Sequence, residues 1–69
     1  WGTWECEVSS FDWYYDDEEI CYIYEGDVEV ETEEGTYEFG PGNLVTFAKG
    51  LKCKWNVRKP VRKVFKFNT

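Results

Sequence analysis

Apolar and polar side chains alternate with a period of two along most of the chain, and no segment has the period of a helix. In the clearest segment one face carries Leu51, Cys53, Trp55 and Val57 and the other carries Lys52, Lys54, Asn56 and Arg58. Turn signals rich in Gly, Pro, Asp or Asn interrupt this pattern every 6 to 10 residues. The sequence therefore predicts an all-β fold, a sandwich or barrel of seven or eight short antiparallel strands.

Two local signals set the predicted strand boundaries. Gly26 and Asp27 lie between the extended segments 19–25 and 28–32, which is the pattern of a two-residue hairpin. Pro60 has no N–H for a strand ladder, so we expect it to separate the strand before it from segment 61–67. Residues 40–43, Gly-Pro-Gly-Asn, predict a tight turn. Each of these signals keeps the predicted strands short.

The length of 69 residues allows one small domain. Hydrophobic residues make up 42% of the chain and aromatic residues 20%, so we expect a folded core instead of disorder. The chain has no Met, including at position 1. We expect a single domain over residues 1–69, with the alternative that an N-terminal strand is missing ahead of Trp1.

Charge is divided unevenly along the chain. All 14 acidic residues lie between Glu5 and Glu38, and all 8 basic residues lie between Lys49 and Lys66. Opposite charges on paired strands help to select the register, so this division predicts pairing between the two halves. The net charge of -6 is unfavourable for nucleic acid, and we expect no nucleic-acid partner.

Compartment and membrane association are constrained by cysteines and hydropathy. Cys6, Cys21 and Cys53 are an odd number of thiols without a Cys-x-x-Cys pair, which indicates reduced thiols and a cytoplasmic protein. No apolar run approaches the roughly 20 residues of a membrane span, so we expect no membrane partner.

Segment 19–25 breaks the rule that one strand face is apolar and the other polar. Cys21 and Ile23 lie on one face, and Ile20, Tyr22 and Tyr24 lie on the other. A strand with two apolar faces in so small a chain needs cover on both sides. We therefore expect a homodimer, or a missing N-terminal strand that packs on the outer face.

Several motifs resemble those of cupins. Residues 19–26, Glu-Ile-Cys-Tyr-Ile-Tyr-Glu-Gly, resemble the first cupin motif, in which a Glu precedes a Gly by seven positions, and residues 42–50 resemble the second. Residues 4–6, 11–13, 19–22, 50–55 and 60–63 are similar to the small cupins grouped with ureidoglycine aminohydrolase. The resemblance spans nearly the whole chain and implies a small cupin-type β-barrel, a double-sheet jelly roll. Asn43 and Ala48 depart from the usual Asp and Pro of the second motif and affect turns only.

The resemblance also implies where a metal would sit. Metal-dependent cupins hold manganese, iron or similar ions with a His-x-His pair, a Glu and a third His, and this chain has no His. The histidine positions fall on Trp13, Tyr15 and Cys53, and only Glu19 remains as a good oxygen ligand. We therefore expect no metal and no cofactor. Zinc held by the three thiols of Cys6, Cys21 and Cys53 with Glu19 is the alternative to three inert buried thiols.

The inward faces bring a set of chemically distinctive residues together. These candidate ligand-binding residues are Trp13, Tyr15, Glu19, Cys21, Cys53, Trp55 and Lys63. Lys63 falls among Val61, Phe65 and Phe67, where a charge is costly unless it is paired, and Glu19 is its natural partner. Two interpretations stay open. The pair is a buried ion pair inside a filled aromatic core, or it lies in a cavity where Glu19 acts as an acid or base and Lys63 as an amine nucleophile or anion anchor.

Two functional hypotheses follow. The first is a metal-free small cupin that binds a small molecule or serves as a structural dimer. The second, implied by the resemblance, is a hydrolase or isomerase that acts on a small nitrogenous or sugar-like metabolite, with Glu19 and Lys63 as candidate catalytic residues. A cavity of about 300 Å³ or more beside these two residues would favour a ligand over a filled core.

Overall fold

Residues 1–67 are described in a computed structural model, which contains six antiparallel strands and no helix over that range. The strands are β1 Gly2–Cys6, β2 Ser9–Tyr14, β3 Glu19–Thr32, β4 Gly35–Phe39, β5 Asn43–Phe47 and β6 Lys52–Phe67. The prediction of an all-β fold is confirmed. Because there is no helix in this part of the chain, none could cross a membrane.

Two long strands replace four of the short ones that the sequence predicts. β3 has 14 residues and β6 has 16, so the predicted hairpin at Gly26-Asp27 and the predicted break at Pro60 are both wrong. Gly26 instead lies in a β-bulge, where the register between β3 and β6 shifts from Glu25 to Asp27. Pro60 lies opposite that bulge and has no residue of β3 as its register partner, so its missing N–H does not interrupt the ladder.

The bulge divides one continuous sheet into two halves. Residues 28–32 of β3 pair with residues 53–57 of β6, flanked by β4 and β2. Residues 19–23 of β3 pair with residues 63–67 of β6, flanked by β5 and β1. Aromatic rings connect the two halves, with Trp4 of β1 at 5.8 Å from Trp55 and Phe39 of β4 at 6.0 Å from Phe47. The inner faces therefore form the double-sheet barrel that was expected.

Both halves contribute to a single core. It consists of Tyr15, Cys21, Ile23, Val28, Val30, Phe47, Cys53, Trp55, Val57 and Val61. The inward positions predicted for β6 agree with this core, since Cys53, Trp55 and Val57 are all buried. The single domain over residues 1–69, with or without a further N-terminal strand, stays a prediction.

The acidic and basic parts of the chain pair across the outer surface. Arg58 contacts Asp27 at 2.9 Å, Glu38 at 3.1 Å and Glu29 at 3.6 Å. Arg62 forms a second group with Glu5 and Glu25. Exposed pairs of this kind add little to stability, so their main effect is on strand register.

Candidate functional site

A buried ion pair lies inside the half of the barrel formed by β1, β5 and the ends of the long strands. Glu19 begins β3, and Lys63 lies on β6 opposite Ile23 in the register. Lys63 Nζ donates a hydrogen bond of 2.7 Å to Glu19 Oε2, and each residue is only 5% exposed. This is the pair that the sequence predicts. A charge-assisted hydrogen bond this short fixes both charged groups in position.

Aromatic rings enclose the ammonium group of this pair. Lys63 Nζ lies 4.8 Å from the ring centroid of Trp55, 5.0 Å from that of Trp4 and 5.8 Å from that of Phe65. A cation over an aromatic face at such distances is attracted by the ring, and more strongly where water is excluded. One carboxylate and three rings therefore surround the amine.

A cavity of about 210 Å³ adjoins the pair. It is lined by Trp4, Phe11, Trp13, Tyr15, Glu19, Trp55, Lys63, Phe65 and Phe67. This volume is below the value of about 300 Å³ that would favour a ligand over a filled core, so the cavity does not meet that criterion and has room only for a molecule smaller than a drug-sized ligand.

Most of the predicted site residues meet at this cavity. Trp13, Tyr15 and Trp55 line it together with the ion pair. Trp13 is 49% exposed and stands at the rim, although the alternation predicts an inward position. The predicted set omits Trp4, Phe11, Phe65 and Phe67, which also line the cavity. Their period-two spacing predicts that these side chains point inward, but it does not predict which inward side chains meet at the same end of the barrel.

The two thiols of the predicted set do not line this cavity. Cys21 is completely buried in the core, and Cys53 Sγ lies 3.8 Å from the main-chain oxygen of Trp13. Burial raises the pKa of Cys21 from 9.0 to about 11, partly opposed by the positive charge of Lys63. Burial also raises the pKa of Cys53. Both thiols are therefore protonated and weakly nucleophilic near neutral pH.

Two polar groups on the cavity wall lack hydrogen-bond partners. Tyr15 and Trp55 are each 2% exposed, and neither the Tyr15 hydroxyl nor Trp55 Nε1 has a well-formed hydrogen bond within residues 1–67, although Trp55 lies close enough to lower the pKa of Tyr15 in part. A buried polar group left unpaired costs about 1–3 kcal/mol, and in native proteins such groups often bind a water or a ligand. Burial, followed by the nearby negative charge of Glu19, raises the pKa of Tyr15 well above its usual range. Its hydroxyl therefore stays protonated and can donate a hydrogen bond.

The residues at the family's metal positions do not fit a metal. Tyr15 is protonated and stacks on Phe47, Cys53 points away from the cavity toward Trp13, and Lys63 already binds the Glu19 carboxylate. The described part of the chain has no group of three or more His, Cys, Asp or Glu side chains placed to hold a metal ion. Cys6, Cys21, Cys53 and Glu19 thus do not assemble the alternative zinc site there.

A double antiparallel sheet folded into a small barrel is the architecture of cupins. Residues 1–65 match the EutQ-like cupin domain, and the chain belongs to this family. No curated protein is significantly similar to the chain.

Solved structures agree with this assignment. A duf861 family protein (tm1112) from Thermotoga maritima is 59% identical with a TM-score of 0.94, over 97% of this chain and 77% of that protein. The Clostridium difficile EutQ protein is 24% identical with a TM-score of 0.83, over 91% of this chain and 50% of that protein. A putative ethanolamine utilization protein Q from Salmonella typhimurium LT2 is 22% identical with a TM-score of 0.82, over 91% of this chain and 51% of that protein.

The present chain therefore spans about half the length of these two EutQ proteins, and their likeness to it shows the fold alone. The comparisons support a cupin of the EutQ-like family and give no support to the ureidoglycine aminohydrolase type in particular.

Proposed function

We propose that the protein is a metal-free cupin that binds a small molecule in the aromatic cavity beside Glu19 and Lys63. The observation that carries this proposal is a buried ion pair that lines one cavity together with aromatic side chains. A buried ion pair is weak evidence for stability, because well-packed apolar residues in its place are often equally stable.

The lining favours a small, flat and uncharged ligand with both donors and acceptors. Glu19 accepts hydrogen bonds, whereas Lys63 donates them. The charges of the ion pair cancel, so a charged ligand would bring an unpaired charge into an apolar site. An amide or ureido group meets these requirements and can stack on the aromatic walls. This nitrogenous class is also the one that the resemblance to ureidoglycine aminohydrolase-type cupins implies.

Binding is testable with a panel of small amides, ureas and polyols. We expect at least one compound to change tryptophan fluorescence and to raise the melting temperature, since a ligand at 100 times its Kd stabilises a protein by about 2.7 kcal/mol. Tyr15→Phe removes one hydrogen-bonding group from the cavity and is expected to weaken binding about 5- to 30-fold. Tyr22→Phe makes the same change on the half-exposed outer face and should bind like the parent protein. A panel without any hit, or equal binding by the Tyr15 variant, would contradict the proposal.

Catalysis by the same pair is the second candidate, favoured by the juxtaposition of a buried carboxylate and a buried amine beside a cavity. In this alternative Glu19 acts as the general acid or base of a hydrolase or isomerase acting on a small nitrogenous or sugar-like metabolite. Turnover of any panel compound that Glu19→Gln abolishes, while binding is retained, would establish it.

We further propose that the protein is a homodimer formed through the outer face of β3. Tyr22, which is 40% exposed, pairs with the exposed Leu44 on β5 and with Val64 on β6, so these side chains form one apolar strip. Lys66 lies at one end of the strip and Glu25 at the other. A two-fold axis through the strip would bury the strips of the two copies against each other.

Sedimentation should detect this dimer at micromolar concentration. The double change Tyr22→Glu with Leu44→Glu is expected to give monomers, because it buries two carboxylates in the proposed interface. Tyr37→Glu alters an exposed tyrosine on β4, outside the strip, and should remain dimeric. A parent protein that stays monomeric throughout would contradict the proposal.

We also propose that the protein is cytoplasmic, and its three free thiols agree with that compartment.

A further inference from the structure

We propose that Lys63 forms an imine with small aldehydes or ketones that enter the aromatic cavity. This inference rests on the proposed function, since it names a class of molecule that the same cavity would take. It goes beyond binding because it assigns a covalent step to a particular atom, Lys63 Nζ.

Lys63 differs from every other lysine in the described chain. Lys49, Lys52, Lys54, Lys59 and Lys66 are exposed, whereas Lys63 is 5% exposed and lines the cavity. Its Nζ is held in one place by Glu19 and three aromatic rings. A lysine amine that is positioned in a pocket forms a Schiff base with a carbonyl compound once it has lost its proton. A carbonyl compound inside the cavity would meet an amine that is already positioned.

Glu19 supplies the proton acceptor that the reaction needs. An ammonium group is not a nucleophile, so its proton must first move along the 2.7 Å hydrogen bond to the Glu19 carboxylate. This transfer leaves a neutral amine, which is the nucleophile, and a neutral carboxylic acid, which is the proton donor of the later step.

The bond changes then balance without any further reactant. The Nζ lone pair adds to the carbonyl carbon, the C=O π electrons move to oxygen, and a proton shifts from nitrogen to that oxygen to give a carbinolamine. Protonated Glu19 then donates its proton to the carbinolamine hydroxyl, which leaves as water while a C=N bond forms. The product is an iminium cation beside the Glu19 carboxylate. The ion pair and its contacts with the aromatic rings are thereby restored.

The lining of the cavity limits which carbonyl compounds can enter it. The cavity volume of about 210 Å³ restricts the substrate to small compounds, and the neutral pair favours uncharged ones.

Borohydride trapping tests this inference on the full chain with propionaldehyde as the probe. The protein is incubated with the aldehyde, reduced with cyanoborohydride and mapped by peptide mass spectrometry. We expect Lys63 to be alkylated at least about tenfold faster than any exposed lysine, which is the scale of a modest positioning effect. Lys63→Arg keeps the positive charge and should remove the fast adduct, whereas Lys66→Arg should leave it unchanged. Glu19→Gln keeps the amine but removes the proton acceptor, and it should slow labelling by about 10²-fold or more.

The outcomes separate this inference from the proposed function. Adducts on the exposed lysines alone would overturn imine formation even if Lys63→Arg failed to fold, because the parent protein provides that measurement. If amides still bind in the fluorescence assay, small-molecule binding then stands without the covalent step. If neither binding nor labelling occurs at the cavity, both proposals are wrong.

Discussion

Glu19→Gln and Lys63→Met are each expected to lower the free energy of unfolding by about 3–5 kcal/mol. Each change leaves the other member of the pair as an uncompensated charge among aromatic rings, since both side chains are almost completely buried. The double variant leaves no buried charge, and we expect it to recover most of the loss. Urea denaturation of the four proteins in a double-mutant cycle gives the coupling energy directly.

The exposed pair of Glu5 and Arg62 is the matched control. Its atoms are 3.4 Å apart and both side chains are more than half exposed, so Glu5→Gln should cost less than about 1 kcal/mol. A domain of this length has a total free energy of unfolding of about 3–10 kcal/mol, so a loss of the expected size would unfold much of a single variant. All four proteins are therefore compared in an osmolyte that stabilises the folded state. If Glu19→Gln and Lys63→Met lose no more stability than Glu5→Gln, the two buried charges are not energetically coupled.

The stability of the double variant also bears on function. If apolar and neutral residues at positions 19 and 63 fold as well as the parent protein, the charges are not needed for the barrel itself. The ion pair then has its use in the cavity, as the proposed binding site requires. A double variant that is far less stable than the parent would instead favour the filled-core interpretation.

The alternation of side chains was enough to predict the barrel interior. It placed Trp55, Glu19 and Lys63 on inward faces, and the cost of an unpaired buried charge then made Glu19 and Lys63 partners. It did not predict how deep each inward side chain lies. Trp13 follows the same pattern as Tyr15, yet it stands at the rim because β2 lies at the edge of its half of the sheet.

The strand count could not be predicted from local signals, and Gly26-Asp27 shows the reason. A Gly-Asp pair between apolar segments is compatible with a hairpin turn and with a bulge, and only the partner strand decides between them. Here β6 runs past the pair as a continuous strand, and Pro60 lies against Gly26. Gly26-Asp27 and Pro60 both resemble strand ends in the sequence, but in the structure they face each other at one β-bulge between β3 and β6.

Gly26→Ala is expected to lower the free energy of unfolding by more than about 4 kcal/mol, a loss that few single substitutions reach. A Cβ atom at this position would lie 2.4 Å from the Pro60 carbonyl oxygen and 2.6 Å from Val61 Cα. These are main-chain atoms of β6, so no side chain can rotate to relieve the clash. Gly26 also has a φ of 104°, in the region that side chains with L chirality disfavour. Thermal and urea denaturation measure the loss.

Gly42→Ala separates the clash from the backbone conformation. Gly42 has a similar φ of 93°, but a Cβ there would meet nothing within 4 Å, so we expect a loss of only about 1–2 kcal/mol. Because Lys63 follows Val61 by two residues on β6, relief of the clash at Gly26 would move the amine away from Glu19. Any folded fraction of Gly26→Ala should therefore bind ligand more weakly, whereas Gly42→Ala should bind as the parent protein does. Equal losses in the two variants would mean that the close approach of β3 to Pro60 does not hold the site in place.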